Sequence, residues 1–472
     1  MITFFVSIVI LILGYFTYGA FVERVFGADE DRKTPAYLRQ DGIDYVPMDW
    51  KNNSLIQLLN IAGLGPIYGA IQGALWGPWA FIWIVLGGIF AGAVHDYLSG
   101  MLSIRNDGAN VPAMVGKYLG KGMQSFVNIF SILLLILVGA TFTTGPAGLL
   151  ASMTPLSLKV WVMIIIAYYF IATVLPIDKI IGRIYPFFGA LLIIMALGVG
   201  VMMVYNGAPI PELTLANLHP KGAPVWPLLF VTIACGAISG FHATQSPLVA
   251  RCTKNEKEGR FIFYGMMIAE SIIALIWAAA AMSFYDGTAG LGAALANPAG
   301  PSGVVKEVSM KLLGPIGGTL AVLGVVVLPI TSGDTAFRGA RLTIAEILNM
   351  DQIKPLKRYL IAVPLFIIGF VLTQIDFSII WRYFAWSNQT LAMIMLWTGA
   401  AYLARERKFH WIATIPATFM TAVSITYILM APEGFKLSTT IAYPVGLAAA
   451  LIAFIAFMIS AYRWAGQPVY EE

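Results

Sequence analysis

Five ionisable side chains stand inside apolar runs, where charge is costly and marks candidate functional sites. His95-Asp96 closes the third run. The pair could pass a proton, or join an ion-pair network at the cytoplasmic end. Glu270 lies midway along the eighth run. It suits a proton-relay or gating role, or a protonated, hydrogen-bonded structural one. His242 could bind a substrate carboxylate, or be a satisfied interior histidine. The ninth run reads Pro329-Ile330-Thr331-Ser332-Gly333-Asp334-Thr335. Hydroxyls beside a carboxylate are hard oxygen ligands for a small cation, or a proton acceptor. The alternative is hydroxyl back-bonding within the helix, with Asp334 paired to Arg338 one turn on. Ser387-Asn388-Gln389 could line a cavity or join helices by hydrogen bonds.

Two interrupted segments would position these groups. Asn60-Ile61-Ala62-Gly63-Leu64-Gly65-Pro66-Ile67-Tyr68-Gly69 sits in an apolar run from Ser54 to Leu75. Pro66 removes a backbone donor. A break at membrane depth is tolerated only where protein or a water-filled cavity receives the freed groups. Five helices later, Cys235-Gly236-Ala237-Ile238-Ser239-Gly240-Phe241-His242-Ala243-Thr244-Gln245-Ser246-Pro247 is interrupted in the same way. Close-packing kinks are the plain alternative. Two broken helices, five apart and opposite in direction, are the mark of an inverted repeat with a midplane site.

The chain has 472 residues, 59% hydrophobic and 11% charged, with mean hydropathy +0.80. Soluble domains carry about 25% charge, so this is an all-α polytopic membrane protein. Thirteen helices are expected, at 3–23, 54–75, 79–104, 122–148, 158–178, 184–205, 225–250, 261–284, 314–337, 359–375, 381–404, 409–430 and 439–462. Residues 1–53 give the first helix and a cytoplasmic loop, and 54–205 the first repeat. Residues 206–404 give the second repeat, and 405–472 two peripheral helices. With the N-terminus outside and the C-terminus inside, twenty-three of 29 Lys and Arg are cytoplasmic, leaving Lys159, Lys221, Lys306, Lys311, Arg382 and Lys436 outside. The outer loops 206–224 and 285–314, rich in Gly, Pro and Ala, are expected to be flexible.

Met1–Phe21 lacks a basic n-region and reads as a retained helix, not a signal peptide. The only cysteines are Cys235 and Cys252, so no disulfide framework is expected. The basic residues are dispersed over short loops, which does not suggest nucleic acid. There is no GxSxG, HExxH or Walker motif, so an enzyme or direct ATP drive is not expected.

In sodium-coupled transporters of inverted-repeat build, a Thr/Ser pair meets carbonyls of the first broken helix. On that analogy Ala62, Gly65, Thr331 and Ser332 are a candidate Na⁺ site, with Asp334 beside it, and no cofactor is expected. The candidate substrate site is Asn60, Gly63, Gly65 and Pro66 from the first break; Ser239, Gly240, His242, Thr244 and Gln245 from the second; and Asn388. Glu270, His95 and Asp96 are candidate proton-relay or gating residues. The expected partners are a small-molecule substrate and membrane lipid.

The motifs resemble the carbon starvation protein A (CstA) family of inner-membrane transporters. The matching stretches are Asp41-Gly42-Ile43-Asp44-Tyr45-Val46-Pro47, Ile61–Pro66, Ala91–Asp96, Cys235–His242, Glu270-Ser271, Thr331 with Asp334 and Arg338, and Ser387-Asn388-Gln389. They occur in family order across most of the chain. The chain departs from the family pattern at Ile56-Gln57, where a His pair is usual, and at His95, where a Gln is common. The resemblance implies an APC-like fold and uptake of peptides or pyruvate-like carboxylates under nutrient limitation. It leaves H⁺ and Na⁺ both open as the coupling ion. The alternatives are a cation-coupled amino-acid symporter and a nutrient receptor that does not transport. A channel would need a continuous polar face, and the polar groups here are isolated clusters.

Overall fold

Apolar runs of this length form helices because a helix satisfies its own backbone groups in lipid. The computed structural model describes residues 1–42, 44–172, 177–352 and 354–465, with the backbone alone for 177–186 and 465. The helices are α1 (Ile2–Phe26), α2a (Trp50–Ile61) with α2b (Gly65–Trp76), α3 (Trp79–Arg105), α4 (Lys121–Met153), α5 (Leu158–Ala172), α6 (Ile177–Tyr205), α7a (Leu228–Thr232) with α7b (Gly240–Ala250), and α8 (Glu256–Phe284). The series ends with α9 (Gly300–Ile347), α10 (Pro355–Leu372), α11 (Phe377–Arg405), α12 (Trp411–Met430) and α13 (Thr439–Ala465).

Among the described residues, nine helices are long and apolar enough to cross a membrane, and the bent pair α2a/α2b makes a tenth span. The short α5, the divided α7 and α11, which carries Arg382, Asn388 and Gln389, complete the thirteen. The expected fifth helix runs on through 173–176, outside the described residues. Ile43 and the side chains of Lys179 and Arg183 also lie outside them.

Both interruptions are present. α2 bends by 53° between Ile61 and Gly65. Pro66 falls in the first turn of α2b, where a missing N–H costs nothing. α7 is open from Ile233 to Ser239. The two breaks pack on each other, since a Cβ added to Gly65 would overlap Cys235 Cβ and Sγ.

One expectation is corrected. Segment 285–314 is largely helical, with Thr288–Ala296 followed by the first arm of α9. Its alanines are strong helix formers. α9 bends at Gly314, whose φ of 69° is left-handed and favours glycine.

Charged side chains are tied down at both ends of the bundle. At one end, Arg105 holds Glu256 through two bonds of 3.0 and 2.9 Å and also donates to Tyr402 Oη and the Gly27 carbonyl. Lys408 reaches the Phe26 carbonyl and Arg405 the Tyr118 carbonyl there. At the other end, Lys306 meets the Ser152 carbonyl and Arg382 meets Glu433. α12 packs on α11, and α13 packs on α12.

Candidate functional site

The α7 break exposes backbone groups that other helices satisfy. Phe241 N donates to Asn388 Oδ1 at 2.6 Å, and Ser239 Oγ donates to the same oxygen at 3.1 Å. Asn388 thereby caps α7b from α11, the task a capping residue normally does from its own chain. Gln389 Nε2 donates to the carbonyls of Phe230 and Ile238, and Trp83 Nε1 to that of Ile233. Ser387, Asn388 and Gln389 are all buried, and Asn388 and Gln389 join helices by hydrogen bonds.

The first turn of α7b places His242 between two carboxylates. His242 Nδ1 lies 2.9 Å from Asp96 Oδ2. The other Asp96 oxygen lies 2.7 Å from His95 Nδ1. On the far side, His242 Nε2 is 3.4 Å from Glu270 Oε2. This last contact is an ion-pair distance without hydrogen-bond geometry, so His242 Nε2 and both Glu270 oxygens have no hydrogen-bond partner. All four side chains are 0% exposed. His95 and Asp96 sit inside the bundle and away from the helix end, because α3 continues to Arg105. Small residues allow this approach. A Cβ on Gly92 would overlap the Ala237 carbonyl, and one on Gly88 would stand 2.5 Å from Ser271 Oγ. α3 also carries a π turn at Gly88–Gly92, just before the pair; such turns recur at functional sites.

The order His95–Asp96–His242–Glu270 is a line of protonatable groups. With Asp96 ionised, its two oxygens can accept from Nδ1–H of both imidazoles. One further proton then has two positions. It can sit on His242 Nε2, facing a glutamate anion, or on Glu270, facing a neutral imidazole. Burial makes an uncompensated charge costly, so with this proton absent two buried carboxylates would face neutral imidazoles.

The candidate cation residues are partly joined. Ser332 Oγ donates to the carbonyls of Leu59 and Asn60, both at 3.3 Å. These carbonyls lie just before Ala62 and Gly65. Thr331 Oγ1 back-bonds to the Leu328 carbonyl at 2.7 Å. Asp334 faces Arg338 at 3.4 Å, and Arg338 also reaches the Ala172 carbonyl. Thr244 donates to the Phe241 carbonyl and accepts from Gln245 Nε2. It borders a cavity of about 30 Å³ beside Arg338 and Ser131, room enough for a water. Gly63 lies against Phe142, whose ring would stand 2.6 Å from an added Cβ. Asn60 and Pro66 are buried at the first break.

Among the polar residues outside the sequence-derived site, Gln57 and Glu256 are fully buried and Arg105 is largely so. Gln57 was legible as an amide within an apolar run. The Arg105–Glu256 pair joins residues 151 positions apart, and nothing local marks it.

The sequence model of the family described as carbon starvation protein CstA matches residues 1–145, 145–291 and 290–427. An uncharacterised membrane protein of Haemophilus influenzae is 47% identical over 61% of this chain and 92% of its own length. Peptide transporter CstA of Escherichia coli is 25% identical over 89% of this chain and 79% of its own length. Pyruvate/proton symporter BtsT of Escherichia coli is 27% identical over 62% and 51%. Among solved structures, the Eremococcus coleocola manganese transporter aligns with TM-score 0.59 at 11% identity, covering 90% of this chain and 98% of that one. Mhp1, a nucleobase-cation-symport-1 family transporter in a closed conformation, aligns at 0.50 with 14% identity, covering 90% and 96%. These two likenesses show the fold, a helical bundle of LeuT-like build, and this chain carries breaks in its second and seventh helices.

Proposed function

The chain belongs to the carbon starvation protein CstA family of membrane transporters, and we propose that it is a proton-coupled importer of small carboxylate-bearing solutes. One observation carries the coupling: the Asp96–His242–Glu270 array, fully buried and attached to a broken helix. A substrate carboxylate entering a desolvated site brings a negative charge that must be offset. A proton on His242 or Glu270 supplies that offset. Substrate and proton therefore bind better together than apart, which is the thermodynamic content of symport. The half-helix N-terminus of α7b adds a partial positive charge on the substrate side.

Short peptides and pyruvate-type acids both carry the required carboxylate. The relatives' names support each: peptide transporter for one group, pyruvate/proton symporter for another. Na⁺ is the second coupling reading, favoured by Ser332 resting on the α2 carbonyls. The same proposal sets the repeats at 54–205 and 206–404, and places the protein in the inner membrane with its N-terminus outside and C-terminus inside. The Arg105 end of the bundle is then cytoplasmic.

Uptake of pyruvate and of dialanine into proteoliposomes tests the reading. An imposed inward proton gradient should drive accumulation without Na⁺. Accumulation that follows only a Na⁺ gradient would move the coupling site to Ser332.

A further inference from the structure

α2a and α7b lie antiparallel, with their register set at both ends. Near the Arg105 end, Asn53 Nδ2 donates to the Val249 carbonyl at 3.3 Å and to Thr253 Oγ1 at 3.0 Å. At the breaks, Gly65 packs on Cys235, and a Cβ on Gly236 would stand 3.7 Å from Pro66 Cα. Gln57 is one turn beyond Asn53 on the same face. The register sets it at the level of Thr244 and Gln245, one turn from His242.

Gln57 is fully buried, and neither Nε2 nor Oε1 has a hydrogen-bond partner. Exchanging the two atoms changes nothing, since both are unmet. Gln245 is also fully buried. Its Nε2 donates to Thr244 Oγ1 at 3.0 Å, and its Oε1 is unmet. One donor and two acceptors are therefore held at one level of the broken-helix seam without protein partners. Native interiors keep few such groups, and a missing water or ligand is the usual reason.

We propose that Gln57 contacts the transported substrate and, with Gln245, selects solutes that pair a hydrogen-bond donor with their carboxylate. Gln57 Nε2 donates to a carboxylate or carbonyl oxygen. The two Oε1 atoms accept from an N–H of the same solute. A short peptide offers both kinds of group. Pyruvate has acceptors only and leaves both Oε1 atoms unmet, so the pair favours peptides. This inference rests on the importer reading and narrows its substrate.

Uptake and thermal unfolding of the full-length Gln57→Leu protein test it, with dialanine and pyruvate as probes. The wild type should take up dialanine at a lower KM than pyruvate. Gln57→Leu should raise the dialanine KM about tenfold, the loss of one net hydrogen bond. Its melting temperature without substrate should stay level or rise, because no protein partner is lost. If the leucine variant does not fold, Gln57→Asn, which shortens the reach and keeps the amide, should raise the same KM. An unchanged dialanine KM in a folded variant overturns the proposal. So does a wild type that takes up pyruvate in preference to dialanine. Both of these results leave proton coupling standing. Loss of proton-driven uptake for both probes in the wild type would instead fall on the importer reading.

Discussion

His242 has one ring nitrogen toward each of two carboxylates, and the two sides are unequal. The Asp96 side is a 2.9 Å hydrogen bond. The Glu270 side is a 3.4 Å gap without hydrogen-bond geometry. The looser side is the one suited to gaining and losing a proton, because less is broken when the proton leaves. Glu270→Gln keeps the size and removes the titration. It is expected to reduce proton-driven accumulation to background while substrate counterflow continues, measured in the same proteoliposomes. Gradient-driven accumulation at the wild-type level would exclude Glu270 from coupling.

At the scale of elements, the two broken helices are held open by groups from other helices. Asn388 serves the α7b N-terminus as a cap from α11, accepting from Phe241 N and Ser239 Oγ through one oxygen. Removing an N-cap costs about 1 kcal/mol, and a buried donor left unmet adds roughly 1–3 kcal/mol. Asn388→Ala should therefore lower the unfolding midpoint in detergent clearly. Asn388→Asp, which keeps the acceptor oxygens, should lower it less. Equal losses would show that capping is not what Asn388 supplies. The arrangement also explains why a polar Ser-Asn-Gln run is tolerated inside α11: its amides replace helical hydrogen bonds that α7 gives up.

Across the whole molecule, the charge pattern sets the expected orientation, and a native cysteine can report it. Cys252 follows α7b at the Arg105 end, with its carbonyl accepting from Met48 N at 3.0 Å. It is only partly buried, whereas Cys235 is buried. A membrane-impermeant maleimide should label Cys252 in inside-out vesicles and not in right-side-out ones. Burial pushes the Cys252 thiol above its ordinary value. The thiolate is the reactive form, so labelling should be slow near neutral pH and still climb above pH ~8.5, the free-thiol value. Labelling confined to right-side-out vesicles would invert the topology.

Local physics made much of this architecture readable from the chain. Low charge and apolar runs require membrane helices. Gly and Pro at Gly63–Pro66 and Gly236–Pro247 mark the two breaks. The skew of Lys and Arg sets an expected orientation. Each of these depends on neighbours in sequence, so a single chain reveals it. The meeting of His95-Asp96 with His242 and Glu270 was not readable in this way, because Asp96 and His242 are 146 residues apart. Periodicity does not give the rotation of each helix about its axis. That rotation follows from where small residues such as Gly88 and Gly92 let helices approach. For the same reason Asn388 could be either a substrate ligand or a joint between helices until α11 was placed against α7. The chain itself specified the class and the breaks. The tertiary structure decided which buried groups meet, because that depends on contacts between helices far apart in sequence.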